Sequence, residues 1–276
     1  MTKTKQILWL NQIKHILYRV FTNKKVLTSY CEKYDLFFRF HIRDGTGKDI
    51  YYKYGVYGED YITTYLLNHL NITRNDLLID VGANIGWHTL TLSKACQPTV
   101  LAFEPDPFNR SLLQENIALN NLTGIQVHGL ALSNETGTQT LYLYKKYNMG
   151  RHSLIKQHNS VRSVEVPIVR LDDLLAREGM QERPIKLLKI DIEGYEFMAM
   201  QGARQALLRC ENLLTEFTPD LMKQVGQDPM DYIRLIREAG FELQQIDPEG
   251  ITVPDIDRII RDDIQVNLLC RKAAQR

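Results

Sequence analysis

Acid is missing from the first 31 residues: Met1 to Cys31 contain Lys3, Lys5, Lys14, Arg19, Lys24 and Lys25 but no Asp or Glu. Elsewhere the signs balance, and a formal charge of +1 leaves no global field to steer the chain onto nucleic acid or an acidic polymer. Cysteine is sparse. Cys31, Cys96, Cys210 and Cys270 form no C-x-x-C pair, which argues against a zinc knuckle or a redox couple and fits a reducing, cytoplasmic compartment. No run approaches the ~20 apolar residues that cross a bilayer, and the early cluster ILWL is cut by Asn11 and Gln12 before it could form a signal core. The 276 residues, 44% hydrophobic, suffice for one full core plus an accessory piece.

The acid-free segment is periodic. Leu10, Ile13, Ile16, Leu17 and Val20 recur at three- and four-residue steps, predicting an amphipathic helix with a basic opposite face. Two uses are open to it: packing on the domain or on a second subunit, or lying on an anionic membrane surface. Residues 36–55, LFFRFHIRDGTGKDIYYKYG, predict a hairpin whose aromatic-rich arms flank the turn DGTG. A helix should follow from about Asp60. Residues 1–55 thus read as an extension and 56–276 as the main domain.

From Leu77 onward, short apolar strands alternate with helical segments, the pattern of a parallel sheet with helices on both faces. The candidates are 77–81, 99–104, 125–132, 185–191, 212–217, 241–246 and 264–270, seven strands of a Rossmann-like, doubly wound α/β fold. Asp106 before Pro107 marks a helix start, and the segment after Gly194 reads as one helix. Residues 133–183, between the third and fourth core strands, break the rhythm. An insertion there would sit over the carboxyl ends of the strands and serve as a substrate lid.

The stretch LLIDVGANIGWHTL, Leu77 to Leu90, ends a strand on Asp80 and then turns on Gly82 and Gly86. A pyrophosphate-binding turn needs G-x-G-x-x-G; here a carboxylate precedes the first glycine and would repel a phosphate but suit a cation. Glu104, 22 residues beyond Gly82, closes the next strand where a ribose needs an acceptor for its hydroxyls. Together they fit a positively charged nucleoside, S-adenosylmethionine.

The ordered set IDVGANIGWHT, FEPDP, LALSNETG, KIDIEGYE and LLTEF, spread over about Tyr57 to Phe241, resembles the FkbM-type family of S-adenosylmethionine-dependent methyltransferases. The resemblance implies a methyltransferase fold, with a small-molecule, sugar or glycan hydroxyl as acceptor. The cofactor contacts expected are Tyr57, Glu59, Asp80, Gly82, Ala83, Asn84, Gly86, Glu104, Pro105, Ala131, Leu132 and Asp191.

Methyl transfer to an alcohol needs positioning and a proton acceptor. Asp191 and Glu193 in KIDIEG, with Glu216 in LLTEF, should converge at neighbouring strand ends. They could supply a general base, Asp191 first, or Asp191 and Glu216 could hold Mg²⁺. The plainer reading is that Glu193 and Glu216 cap helices or pair with Lys189 or Arg204. His152 is the histidine best placed to face an acceptor, with Arg151 beside it; His88 would pack or cap, and His128 belongs to the core. An NAD-dependent oxidoreductase lacks its glycine spacing here, and Tyr142 and Lys146 in an extended run lie ~13 Å apart, too far to act as a pair. A nucleic-acid amine methyltransferase would carry a Pro-Pro-aromatic turn where this chain has DIEG, and no basic stripe accompanies it, so no nucleic-acid partner is expected. A cofactor-binding protein without turnover remains the non-enzymatic alternative.

Overall fold

The computed structural model describes residues 25–272, apart from 43, 46, 48, 49, 51–55, 145–148 and 159. In chain order its elements are β1 (Val26–Cys31), β2 (Leu36–His41), α1 (Asp60–His69), β3 (Leu77–Val81), α2 (Trp87–Cys96), β4 (Thr99–Phe103), α3 (Pro107–Leu119) and β5 (Ile125–His128). There follow β6 (Ala131–Leu132), β7 (Gly137–Tyr144), β8 (Ser160–Val169), α4 (Leu171–Arg177), β9 (Ile185–Ile190), α5 (Glu196–Gln201), α6 (Arg204–Leu208) and β10 (Cys210–Phe217). The chain closes with α7 (Pro219–Gln224), α8 (Pro229–Glu238), β11 (Phe241–Asp247), β12 (Gly250–Thr252), α9 (Ile256–Arg261) and β13 (Val266–Lys272).

The central sheet has the order β12-β11-β13-β10-β9-β3-β4-β5. Strands β5, β4, β3, β9 and β10 are parallel, while β13 runs antiparallel to both of its neighbours. Every residue of β3 is buried, as a central parallel strand requires. Alternation then divides them: Leu77, Ile79 and Val81 join the apolar cluster under α4, α5, α8 and α9, and Leu78 joins the opposite cluster with α1, α2 and α3. Asp80 therefore projects on the second face, the one that also receives Leu187 of β9 and Leu214 of β10. By the same period of two, Lys189 and Glu216 share that face.

Several elements differ from expectation. The hairpin exists, but it is β1–β2, with LFFRFH as its second arm and register Val26↔His41 to Cys31↔Leu36. Asp44 is not its turn: the carboxylate accepts the Gly47 N–H at 3.0 Å, an N-cap geometry, and the described residues Gly45, Gly47 and Ile50 are helical. The expected strand 125–132 divides at Gly129, its second half forming β6 in a separate three-stranded sheet, β6-β8-β7. The insertion is thus built around an antiparallel ribbon. The main sheet gains β12 as an eighth strand paired on β11. The helix after Gly194 is two short ones broken at Gly202, where a Cβ would lie 1.9 Å from the Ser133 carbonyl oxygen. The basic segment 1–24 lies outside the described residues.

The hairpin is fastened by amides. Asn116 and Asn120, one turn apart on α3, each accept and donate a bond with the backbone of Arg39 and Phe37, at 2.6 to 3.1 Å. The two side chains act as a surrogate strand on the edge of β2. Leu36, Phe38 and Phe40 fill the space beneath, in the same cluster as Trp87 and Leu113.

Candidate active site

At the carboxyl ends of β3, β4, β9 and β10 lies a cleft of about 340 Å³. Its first wall is the β3–α2 turn. Gly82 takes φ +78°, and a Cβ there would stand 1.9 Å from the Asp191 carbonyl oxygen, so two backbones meet where only glycine fits. Gly82 and Ala83 both donate N–H bonds to the Phe103 carbonyl at 3.0 Å. Asn84, at φ +51°, donates its N–H to Glu104 Oε2 at 2.8 Å, and Asp106 donates to Oε1 at 2.9 Å. Burial pushes Glu104 up to about 8 despite these bonds. Glu104 and Asn84 both line the cleft, and the buried Asn84 Oδ1 has no protein donor.

A cation sits at the centre. Lys189 is the parallel-strand partner of Asp80, and its Nζ lies 3.2 Å from Asp80 Oδ1, 3.5 Å from Asp191 Oδ2 and 3.4 Å from the Gly82 carbonyl. Thr89 Oγ1 donates to Asp80 Oδ2 at 2.6 Å. Burial alone would raise the Asp80 pKa; the Lys189 charge and these bonds outweigh it and hold Asp80 below the ordinary carboxylate range. Lys189 itself is lifted, because the surrounding acids outweigh the burial that would lower it.

Glu59 and His88 complete this end. Trp87 Nε1 donates to Thr63 Oγ1 at 2.9 Å, and Thr63 Oγ1 lies 3.2 Å from His88 Nδ1. His88 Nε2 lies 3.8 Å from Glu59 Oε2. Burial disfavours the Glu59 charge, but His88 and Lys189 hold its pKa low. Three acids, Glu59, Asp80 and Asp191, thus stand around one lysine, with Glu59 and Asp80 held low and Asp191 raised by burial.

Glu193 and Glu216 line the same cleft as Asp191, which brings the three together. Glu193 has φ +56°, a strained conformation for a residue with a side chain. Burial, reinforced by Asp191 and eased by Arg151, pushes Glu193 up to about 7. Glu216 is also raised well above the ordinary range, by burial and then by Asp191 and Glu193, although Gln265 donates to it. The insertion closes over Glu193: Arg151 Nε lies 3.2 Å from Glu193 Oε2, and Ser153 Oγ donates to the Glu193 carbonyl at 2.8 Å. Neither Glu193 nor Glu216 pairs with Lys189 or Arg204.

His152 lines the cleft, with Nδ1 accepting the Tyr144 N–H at 3.0 Å. The neutral ring then carries its proton on Nε2, which makes it a hydrogen-bond donor and not a base. Of the cofactor contacts expected, Tyr57, Glu59, Asp80, Gly82, Ala83, Asn84, Glu104, Pro105, Ala131, Leu132 and Asp191 line the cleft, but Gly86 does not. Gly86, at φ +96°, is the α2 N-cap, and a Cβ there would strike Leu90 and Leu113. A metal at Asp191 and Glu216 finds no support: among the described residues no three acids, cysteines or histidines are grouped to hold one, and Lys189 already supplies the cation beside Asp191. His128 packs flat on Phe103, with centroids 4.9 Å apart.

Sequence reading missed Lys189, Gln265 and the place of His88 in the cleft. A signal existed for the first. A lysine inside the apolar strand IKLLKI, two residues before an acid, shares that acid's face and demands a buried partner. Nothing local marks Gln265, which arrives just before β13.

The family model described as the methyltransferase FkbM domain matches residues 80–243, from Asp80 to Leu243. The chain belongs to this family. The FkbM match takes in Glu104, Lys189, Asp191, Glu193 and Glu216, while Tyr57, Glu59 and Gln265 fall outside it. A protein named Methyltransferase 1 from Beauveria bassiana is 34% identical over 146 residues, 46% of this chain and 58% of that relative. The chain thus spans less than two thirds of that relative's length. The hexuronic acid methyltransferase AglP of Haloferax volcanii is 28% identical over 182 residues, 66% of this chain and 69% of its own. The 31-O-demethyl-FK506 methyltransferase FkbM of Streptomyces tacrolimicus is 28% identical over 172 residues, 51% of this chain and 65% of its own. Among the described residues no helix is long and apolar enough to cross a membrane.

Proposed function

We propose that this FkbM-family protein transfers a methyl group from S-adenosylmethionine to a hydroxyl of a sugar, glycan or natural-product acceptor. The observation that carries the reading is the acid set at one end of the cleft: Glu59, Asp80 and Asp191 gathered around one buried lysine. Negative charge there suits a cationic nucleoside better than a pyrophosphate. Glu104 would take the ribose hydroxyls, the orphaned Asn84 Oδ1 a donor of the same ligand, and Glu59 with Asp80 its cationic end. When bound, this cofactor supplies an electrophilic methyl group. The name of the Haloferax relative accords with a sugar acceptor and that of the Streptomyces relative with an oxygen.

The chain's own residues would manage the proton. Glu193, raised to about 7, matches a working pH near neutral and takes the acceptor's proton; Asp191, beside Lys189, orients the hydroxyl. The Arg151 and Ser153 contacts hold the Glu193 turn and shield it from water.

Thermal unfolding with S-adenosylmethionine, S-adenosylhomocysteine and NAD, with and without Mg²⁺, tests the cofactor. Saturating ligand should stabilise by about 2–3 kcal/mol with the first two, independently of Mg²⁺, and not with NAD. Labelled methyl transfer to a panel of sugars should then rise as pH passes about 7. Stabilisation by NAD alone would discard the reading, and cofactor binding without transfer to any acceptor would leave a binder in place of an enzyme.

A further inference from the structure

A second hollow, of about 270 Å³, lies between the N-terminal hairpin, the start of α3 and the β7–β8 ribbon. Its walls are mostly apolar: Phe108, Leu143, Tyr144 and Val161. Phe108 is 38% and Val161 53% exposed, unusual for large apolar side chains of a folded surface. The His41 ring meets Phe108 edge-on at 5.7 Å. Two exposed cations, Lys25 and Arg162, belong to the lining, and among the described residues neither has an ion-pair partner. Asp106, the acid on this wall, is engaged as the α3 N-cap, accepting the Asn109 N–H at 2.9 Å. Apolar walls and unbalanced positive charge therefore coincide.

His152 belongs to both this hollow and the carboxylate cleft. Its Nδ1 is occupied by the Tyr144 N–H, so a proton on Nε2 remains for an oxygen passing between the two spaces. We infer that this hollow is the outer half of the acceptor site and takes an amphipathic anion. The acceptor's apolar body lies along Phe108, Tyr144 and Val161, its acid group meets Arg162 and Lys25, and its reacting hydroxyl reaches past His152 toward Glu193. This rests on the methyl-transfer reading of the cleft, and it narrows the acceptor to molecules that carry both an apolar surface and a negative charge.

Titration of the full chain, held with S-adenosylhomocysteine, against three probes tests it: naphthalene-2-sulfonate, the neutral naphthalene-2-sulfonamide and methanesulfonate. The first should bind at least about tenfold tighter than either of the others, since only it offers both features. Arg162→Glu should remove the preference over the sulfonamide, and Phe108→Ser the preference over methanesulfonate; both positions are exposed, so folding should survive. Equal affinities, no binding by any probe, or preferences that outlast both substitutions would overturn the inference. S-adenosylhomocysteine binding, measured in the same samples, reports on the cleft separately. Its presence without a sulfonate preference removes only the groove, and its absence alongside that preference removes only the methyl-transfer reading.

Discussion

Lys189 and Asp80 stand opposite each other on adjacent parallel strands, Nζ to Oδ1 3.2 Å, each with a side chain 7% exposed. A buried pair of this kind is costly to break from one side, because the remaining charge loses its partner. Lys189→Met should therefore lower unfolding stability by about 3–5 kcal/mol. Urea denaturation measures it. A loss below about 1 kcal/mol would show that Asp80 and Asp191 do not depend on this ammonium.

Gly82→Ala sets a Cβ against backbone, 1.9 Å from the Asp191 carbonyl, at a φ of +78°. Neither strand can move without disturbing the sheet, so a cost of at least ~2 kcal/mol and loss of S-adenosylhomocysteine binding are expected. Gly86→Ala meets only the Leu90 and Leu113 side chains and lies off the cleft; it should lower the melting temperature while binding persists. Equal binding by the two variants would contradict this division.

Stability should fall as pH rises. Burial lifts Glu104 and Glu196 from the ordinary 4.5 to about 8 and Glu193 to about 7. Between 4.5 and those values the unfolded chain has released protons that the folded chain still holds, so each step upward in pH favours unfolding. Asp80 and Glu59, held low, act in the opposite sense, but only below the ordinary carboxylate range. The melting temperature of the ligand-free protein should drop from about pH 5.5 to about pH 8.5, and Glu196→Gln should flatten the slope. A rising curve over that range would refute the buried-acid account.

Glu59→Gln removes a negative charge beside the lysine without touching the Asp80–Lys189 pair. S-adenosylmethionine, which carries a sulfonium charge, should lose roughly tenfold in affinity, and S-adenosylhomocysteine, which lacks it, distinctly less. Calorimetry on both ligands decides. Equal losses would place Glu59 away from the cationic end.

Much of the site was legible because it is local. The turn Asp80 to Gly86, the acid Glu104 and the DIEG carboxylates each follow a strand whose alternation can be read directly, and parallel strands in one sheet deliver their ends to one edge. Of the hairpin expected over 36–55, LFFRFH is a strand but pairs with β1, and DGTG satisfies a helix N-cap at Asp44 as readily as a tight turn; most of the expected second arm, 51–55, lies outside the described residues. Gly86 shows the limit: a glycine that packs against Leu113 looks the same in sequence as one required for a ligand.

By itself the sequence determined the strand–helix rhythm, the strand-end acids and the family, since each is written in residue spacing. Tertiary structure alone decided which charges meet: that Lys189 lies between Asp80 and Asp191, that Arg151 reaches 42 residues along the chain to Glu193, and that His152 presents a proton where a base was plausible. Charge pairing acts over a few ångströms across strands distant in sequence, and hydrogen-bond partners fix a tautomer that no spacing records.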